Sequence, residues 1–436
     1  MTGQGPGAGP GVRRAVVAGA GRPVLVVGFV GVTLAAIGAF QPDDSVIYVE
    51  EPDVVRKRRV HEQLEGVAFV RGLIEWEYHL AGKADEFFNA HPRLDPAAVV
   101  PAIEYATPFA ARLAERYGLP GAGLGAAQIL RDKALLRQVS AAAGIANPVS
   151  VPVRGPDDVR AFLRGRPGPV VLKPANRQAS VGTRVIRDAA EVEGAWADCL
   201  VQDEGVFVPD RPMALSMLAE QYVEGPEYSV EMLVRDGVAL FVNVTGKQLF
   251  PGPHPVELAH VVPADIPDEL ARLLGARTAL LVEAVGFRDG FVHGEWIVSD
   301  GVPYLVECAG RLPGGGILDT IQLAYPVELL RSYYAVLKGE ALPGGLPRRA
   351  KGGAAVRFLA AAPGRVAAVH GVEAARRADG VFLAAVTVEP GHPVAELRHS
   401  WHRAGIVMAT ADSPAEALRR AEAAAGMVRI DIEGEE

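Results

Sequence analysis

Hydrophobic and polar positions fall in short, sharply punctuated runs along most of this 436-residue chain. The run VLVVGF from residue 24, a turn at Gly31 and the stretch TLAAIGAF predict a buried strand and a helix. DDSVIYVEEPD then supplies a second strand, which makes a βαβ unit. The apolar run of residues 24–40, behind Arg13, Arg14 and Arg22, also has the outline of a signal peptide. The strand that follows favours the buried reading. Residues 22 to 118 continue to alternate strand and helix patterns, as a small parallel α/β domain does. A connector and helix follow (LGAAQILRDKALLRQVSAAAGI), closed by Gly144. PVVLKPA reads as a strand, and AEQYVEGPEYSVEML as two strands about a Gly-Pro turn. After a Pro/Gly/His-rich loop, FPGPHPVELAHVVPA, a helix runs from Asp268 to Val285. PGGLPRRAKGG has linker composition. The last ninety residues show short strands and one capped helix, with Ser413 at the N-cap, Pro414 at N1, Glu416 at N3 and Gly426 at the end. This tail reads as a separate α+β lobe.

The stretch VHGEWIVSDGVPYLVECAGR, residues 292–311, alternates about Ser299, Asp300 and Gly301 and predicts a β-hairpin. A three-residue loop centred on Gly301 puts Glu295 directly opposite Glu307. A two-residue loop shifts the register by one and leaves the pair diagonal. Like charges facing each other destabilise a sheet, so something positive is expected between them.

Composition narrows the field. The net charge of −8 gives no basic surface for nucleic acid or an anionic membrane. Two cysteines, Cys199 and Cys308, carry neither metal-ligand spacing nor a disulfide framework, and point to a cytoplasmic protein. Residues 1–12 (MTGQGPGAGPGV) are Gly- and Pro-rich, the composition of a disordered leader. GFVG is not a G-x-G-x-x-G fingerprint, which argues against a nicotinamide dehydrogenase.

Taken singly, the candidate residues are ordinary. Lys133 reads as a surface helix lysine. Lys173 is sharper: it ends the apolar strand PVVL and points into a cleft. The loop after it holds Ser180 and Gly182, whose backbone N–H groups could cover phosphates, though a hairpin loop would look the same. Glu220 and Glu227 flank a turn, where solvated edge-strand charges are common. Glu257 and His260 lie in the proline-rich loop, and Arg311 sits just beyond the hairpin.

As a set these residues resemble the ATP-grasp superfamily of carboxylate–amine ligases, closest to L-amino acid (dipeptide) ligases. RDK, VVLKP, EQYVEGPEYSVE, VELAHVVPA, HGE and VECAGRLPGG carry the resemblance, which spans about residues 22–432. It implies an ATP-grasp fold: a leader (1–21), an N-terminal parallel α/β domain (22–118), a two-lobed ATP-binding core (119–345, small lid lobe about 145–223) and a C-terminal α+β lobe (346–436). It implies that Lys133 and Lys173 hold the phosphates of ATP under a lid carrying Ser180 and Gly182. Glu220, Gln221, Tyr222 and Val223 would flank the adenine, and Glu227 the ribose. Glu295 and Glu307 would bind Mg²⁺, usually two ions, with Mn²⁺ a candidate substitute. Arg311 would stabilise the charge that develops in catalysis. Glu257 would pair the donor ammonium, and His260 would orient the second substrate or take its proton. His293 is expected to be structural. The family signature E-x-N-x-R is here ECAGR, so Ala309 lacks the usual side-chain oxygen. The implied activity joins a small amino acid to an amine or second amino acid through an acyl phosphate. The alternatives are a bicarbonate-activating carboxylase or a non-catalytic nucleotide-binding protein. The implied partners are small molecules, neither nucleic acid nor membrane, with homodimers common in the family.

Overall fold

The structure is a computed structural model that describes residues 21–200, 204 and 208–434. The leader expected over residues 1–21 therefore lies, apart from Gly21, outside the described residues. Strands Val24–Val27 and Val46–Glu50 are fully buried and pair in parallel, as the βαβ reading requires. Strands Val70–Glu75 and Ala98–Pro101 flank them in a four-stranded parallel sheet. The apolar run at residues 24–40 thus forms a central strand, a 3-10 turn at Gly31–Thr33 and a helix at Leu34–Gly38. No helix among the described residues is long and apolar enough to cross a membrane.

A second four-stranded sheet is antiparallel, in the order Ser150–Val153, Met217–Gln221, Val170–Pro174, Arg184–Ile186. Leu172 and Ala219 turn one face onto helices Pro156–Arg164 and Val192–Leu200. Lys173 and Glu220 stand on the other face.

The largest sheet has eight strands. From one edge inward it runs through the hairpin strands Val302–Ala309 and Gly290–Ser299, then Glu227–Arg235, Val238–Leu249 and Glu257–Val262. The tail does not stand apart. Strands Gly353–Leu359, Gly405–Ala411 and Val381–Val386 hydrogen-bond in turn onto Glu257–Val262 and extend the same sheet. Its helix Pro414–Ala425 is capped as read, with the Ser413 hydroxyl accepting from the Glu416 amide at 3.3 Å.

Two elements differ from the sequence reading. The segment 124–142 is two helices, Leu124–Arg131 and Lys133–Ala142, broken at Asp132. The Asp132 carboxylate caps the second by accepting from the Ala134 and Leu135 amides, so Lys133 falls in its first turn. The two strands about Gly225-Pro226 are not a hairpin: they belong to different sheets. Gly225 has φ +155°, and a Cβ there would lie 2.1 Å from the Val298 carbonyl oxygen. Only glycine lets the crossing chain pass this close to the hairpin.

Candidate active site

The hairpin explains how the two glutamates come to face each other. Its turn is the two-residue Asp300-Gly301, both at positive φ, with Ser299 opposite Val302. That register alone would leave Glu295 and Glu307 diagonal. A bulge between Glu295 and Trp296 shifts it by one, and Glu295 ends opposite Glu307. The expected pair is present, through a shorter loop plus a bulge. Alternation sends Trp296 and Cys308 to the other face, where both are buried against the helix Asp268–Val285. The Trp296 indole donates to the Thr278 hydroxyl at 3.0 Å.

Each of these carboxylates meets its own cation from the protein, Lys247 at Glu295 and Lys133 at Glu307. Lys247, on the strand Val238–Leu249, has a side chain only 1% exposed. Its ammonium donates to Glu295 and to Glu227 at 3.0 Å, with Glu257 at 3.8 Å. Burial alone would raise the Glu295 carboxyl, but Lys247 and His293 outweigh it and hold it well below the usual range. His293 bridges Glu231 (3.0 Å) and Glu295 (3.1 Å). Burial disfavours its charged form, yet the two carboxylates lift its pKa to about 9. Glu231 is fully buried and also accepts from Ser229, Asn243 and Thr245. On the other side of the hairpin, Lys133 lies 2.9 Å from Glu307 and donates to the Arg177 carbonyl at 2.8 Å. It is buried, not the surface lysine its sequence neighbours suggest.

Lys173 and Glu220 form a second centre. The lysine ammonium is 2.7 Å from Glu220, and Arg137 adds contacts of 2.9 and 3.2 Å. Arg137 also donates to the Val306 carbonyl at 2.7 Å, which ties the smaller antiparallel sheet to the hairpin. Burial would raise the Glu220 carboxyl; Lys173 and Arg137 overcome this and hold it at about 2. A carboxyl depressed in the fold adds stability above its unfolded pKa, and that stability fades as pH falls through the folded value. Glu220→Gln should therefore lower stability at pH 7 by an amount on the order of 3 kcal/mol. The gap to wild type should close between pH 4.5 and about 2. Urea unfolding across that range checks it; a gap that does not depend on pH would refute the ion-pair account.

The remaining residues lie around these centres. Arg311 is 2.7 Å from the buried Glu104 of the N-terminal domain, which Arg131 also approaches at 3.4 Å. Glu257 accepts from the Ser400 hydroxyl at 2.8 Å, with Arg403 at 3.6 Å. His260 lies directly across from Lys247 and next to the Gly315 carbonyl, 3.1 Å from Nδ1. A carbonyl only accepts, so Nδ1 carries the proton. Nε2 is then a lone pair, buried and without a partner. Burial pushes the His260 pKa down to about 4, so the ring is neutral at pH 7. Gly315 (φ +61°) is needed for this approach, since a Cβ there would meet the ring at 2.7 Å.

The loop after Lys173 is fastened down. Ala179, Ser180 and Gly182 all have positive φ. Ser180 donates to the Pro255 carbonyl at 2.9 Å, the Ser400 amide donates to Ala179, and Arg177 and Val181 are buried. Its backbone and the buried Arg177 supply these anchors. Gln221, Tyr222 and Val223 continue from the strand holding Glu220 toward the Gly225 crossing. The Gln221 amide donates to the Val149 carbonyl at 2.8 Å, Arg187 covers the Tyr222 ring and Val223 is buried. These three do not join the carboxylate–lysine clusters.

Sequence reasoning missed Lys247, Arg137, Glu104 and Arg403. Lys247 carried a usable signal. In FVNVTGKQL, Asn243, Thr245 and Lys247 alternate onto one face of the strand, opposite Val242 and Val244.

Comparison with known proteins fits this geometry. Residues 166–319 match the model of the ATP-grasp domain, and residues 357–433 match L-amino acid ligase C-terminal domain 2. An L-amino acid ligase from Bacillus licheniformis superposes with a TM-score of 0.78 at 17% identity, over 95% of this chain and 99% of that one. The chain has the ATP-grasp fold. The alanine–anticapsin ligase of Bacillus subtilis strain 168 is 26% identical over 254 residues, 54% of this chain and 53% of the relative. The chain thus spans about half the length of those curated ligases. The biotin carboxylase domain of a Hydrogenobacter thermophilus 2-oxoglutarate carboxylase, solved with MgADP and bicarbonate, shares the ATP-grasp fold at TM-score 0.65 and 15% identity.

Proposed function

We propose that this protein is an ATP-dependent carboxylate–amine ligase that joins an amino acid to an amine or second amino acid. The observation that carries the reading is the convergence of the Glu295–Glu307 pair and Lys133 on one hairpin, with Arg311 just past its end and with Glu257 and His260 on the strand paired with that of Lys247. Among the described residues no three His, Cys, Asp or Glu form a ready-made metal set. Mg²⁺ does not need one: it takes one or two carboxylates plus substrate phosphates. Glu295 and Glu307 are hard oxygen donors on facing strands and fit that requirement. The reading includes two ions, with Mn²⁺ able to substitute, and the bound metal would neutralise phosphate charge.

Each residue then has a task. Lys133 and Lys173 hold the ATP phosphates beneath the loop with Ser180 and Gly182. Glu220, Gln221, Tyr222 and Val223 flank the adenine, and Glu227 the ribose. Glu257 pairs the donor ammonium. The donor carboxylate attacks the γ-phosphorus, the bond to ADP breaks, and an acyl phosphate forms. The acceptor nitrogen then bonds to the acyl carbon, phosphate leaves with the electron pair, and the nitrogen gives up its proton. Arg311 stabilises the oxyanion of that step. His260 accepts a hydrogen bond from the acceptor N–H at Nε2, which orients it; its depressed pKa makes orientation its stronger contribution. The partners in this reading are small molecules, without nucleic acid or membrane. A homodimer and a cytoplasmic location complete it.

The test is ADP release with ATP, Mg²⁺ and pools of carboxylates and amines. Release that needs both a carboxylate and an amine supports the ligase. Release with bicarbonate alone would favour a carboxylase, and no release with any pool would favour a non-catalytic nucleotide binder. Glu257→Gln should weaken donor binding by about tenfold to a hundredfold, the loss of a charge-assisted hydrogen bond of about 1.5–3 kcal/mol. Its effect on ATP affinity should be much smaller. Calorimetric titration of both ligands measures this, and equal losses for the two would remove Glu257 from the donor site.

A further inference from the structure

Two residues of the C-terminal segment that the roles above leave unused, Ser400 and Arg403, lie beside Glu257. Ser400 and Arg403 lie on the segment just before strand Gly405–Ala411. Ser400 fixes Glu257 with its hydroxyl, and its amide donates to Ala179 of the loop after Lys173. Arg403 is mostly buried. Its Nε donates to the Ser400 carbonyl at 2.9 Å, and its guanidinium lies 3.7 Å from the Phe358 ring centre. That leaves the fork incompletely used. Nη1 is buried without a hydrogen bond, and Glu257, the carboxylate facing it, is 3.6 Å away. Glu257 is already bonded to Ser400 and approached by Lys247. The other orphan in this corner is His260 Nε2, whose ring packs edge-on against the same Phe358 at 5.3 Å.

Two buried polar atoms without a hydrogen bond, one a cationic donor and one a neutral acceptor, therefore flank one aromatic ring. Orphaned buried groups of this kind are costly unless a ligand completes them. An α-amino acid presents the complementary pair one carbon apart: an amine that donates and a carboxylate that accepts. A planar guanidinium is well suited to a carboxylate.

We propose that Arg403 is a specificity-determining residue that binds the α-carboxylate of the acceptor, while His260 Nε2 receives the acceptor amine. The acceptor is then a free α-amino acid, not a simple amine or an amidated amino acid. This rests on the ligase reading above. It adds that the C-terminal lobe selects the second substrate and that Glu257 separates it from the donor.

The experiment compares each acceptor amino acid with its carboxamide, by ADP release at fixed donor and ATP, in wild type and in Arg403→Met and Arg403→Lys. Wild type should prefer the free acid in kcat/KM by about tenfold to a hundredfold, as for loss of a charge-assisted contact. In Arg403→Met that preference should collapse toward unity, chiefly through a higher KM for the free acid. Arg403→Lys should recover part of it. A residue that only buttresses Glu257 would weaken acid and amide alike and leave their ratio intact, which would overturn the proposal. Equal use of acid and amide by wild type would overturn it too, whether or not the variants fold. Absence of ADP release with every carboxylate and amine is a different result: it removes the ligase reading, and this proposal with it.

Discussion

Lys247→Met is expected to lower stability by about 3–5 kcal/mol, the usual consequence of removing one partner of a buried ion pair. The side chain is 1% exposed and serves Glu227 and Glu295 directly and Glu257 at longer range. Methionine fills the space but leaves three carboxylates close together without their central cation. Those carboxylates should then take up protons, so the loss should be largest at neutral pH and smaller near pH 5. Urea unfolding at both pH values measures it. If Glu295 and Glu307 accept a divalent cation, millimolar Mg²⁺ should restore more stability to Lys247→Met than to wild type, because binding to the folded state alone is stabilising. An unchanged urea midpoint at pH 7 would contradict the account of Lys247 as the counter-charge of this site. The same geometry alters the expectation for the hairpin. Facing glutamates suggest that neutralising one relieves repulsion. Because Lys247 and His293 already compensate Glu295, Glu295→Gln should destabilise the protein.

Arg311→Ala should reduce turnover by about 10²–10³-fold, the size of effect seen when one preorganised donor to a developing oxyanion is removed. ATP affinity should change little, since Lys133 and Lys173 carry the phosphate contacts in this reading. The substitution also removes a partner of Glu104, which keeps Arg131 at 3.4 Å. Unfolding midpoints must therefore be compared alongside. Arg311→Lys should restore stability more than activity, because an ammonium keeps the charge but not the fork. Steady-state kinetics with nucleotide titration distinguishes these effects. A fall in ATP binding matching the fall in kcat would move Arg311 from the reacting centre to the nucleotide site.

Much of the fold was legible because its elements announce themselves locally. The βαβ start, the capped helix at 414–425 and the alternation of the hairpin each depend on residues close in sequence. What could not be read depends on distance. The bulge that restores the Glu295–Glu307 register is a property of strand pairing, not of the turn. Extension of the large sheet by the tail requires strand Gly353–Leu359 to find Glu257–Val262, across about a hundred residues. The site follows the same rule. Glu295, Glu307 and Lys173 stood out through alternation and strand position, whereas Glu220 by itself read as a solvated edge-strand charge. Lys133 looked like a surface residue because its burial comes from Glu307 and the Arg177 carbonyl, both far along the chain. Glu104 and Arg403 carried no local signal at all, since each acquires its meaning from a partner far along the chain.

The central claim is that ATP activates a carboxylate at its γ-phosphorus so that an amine can capture the acyl group. The most direct measurement is product identity in the presence of hydroxylamine, with ATP, Mg²⁺ and a series of candidate amino acids. The account predicts ADP and inorganic phosphate, formed only with the matching carboxylate, together with one hydroxamate per ADP released. AMP and pyrophosphate, or ADP formed without any hydroxamate across the series, would contradict it.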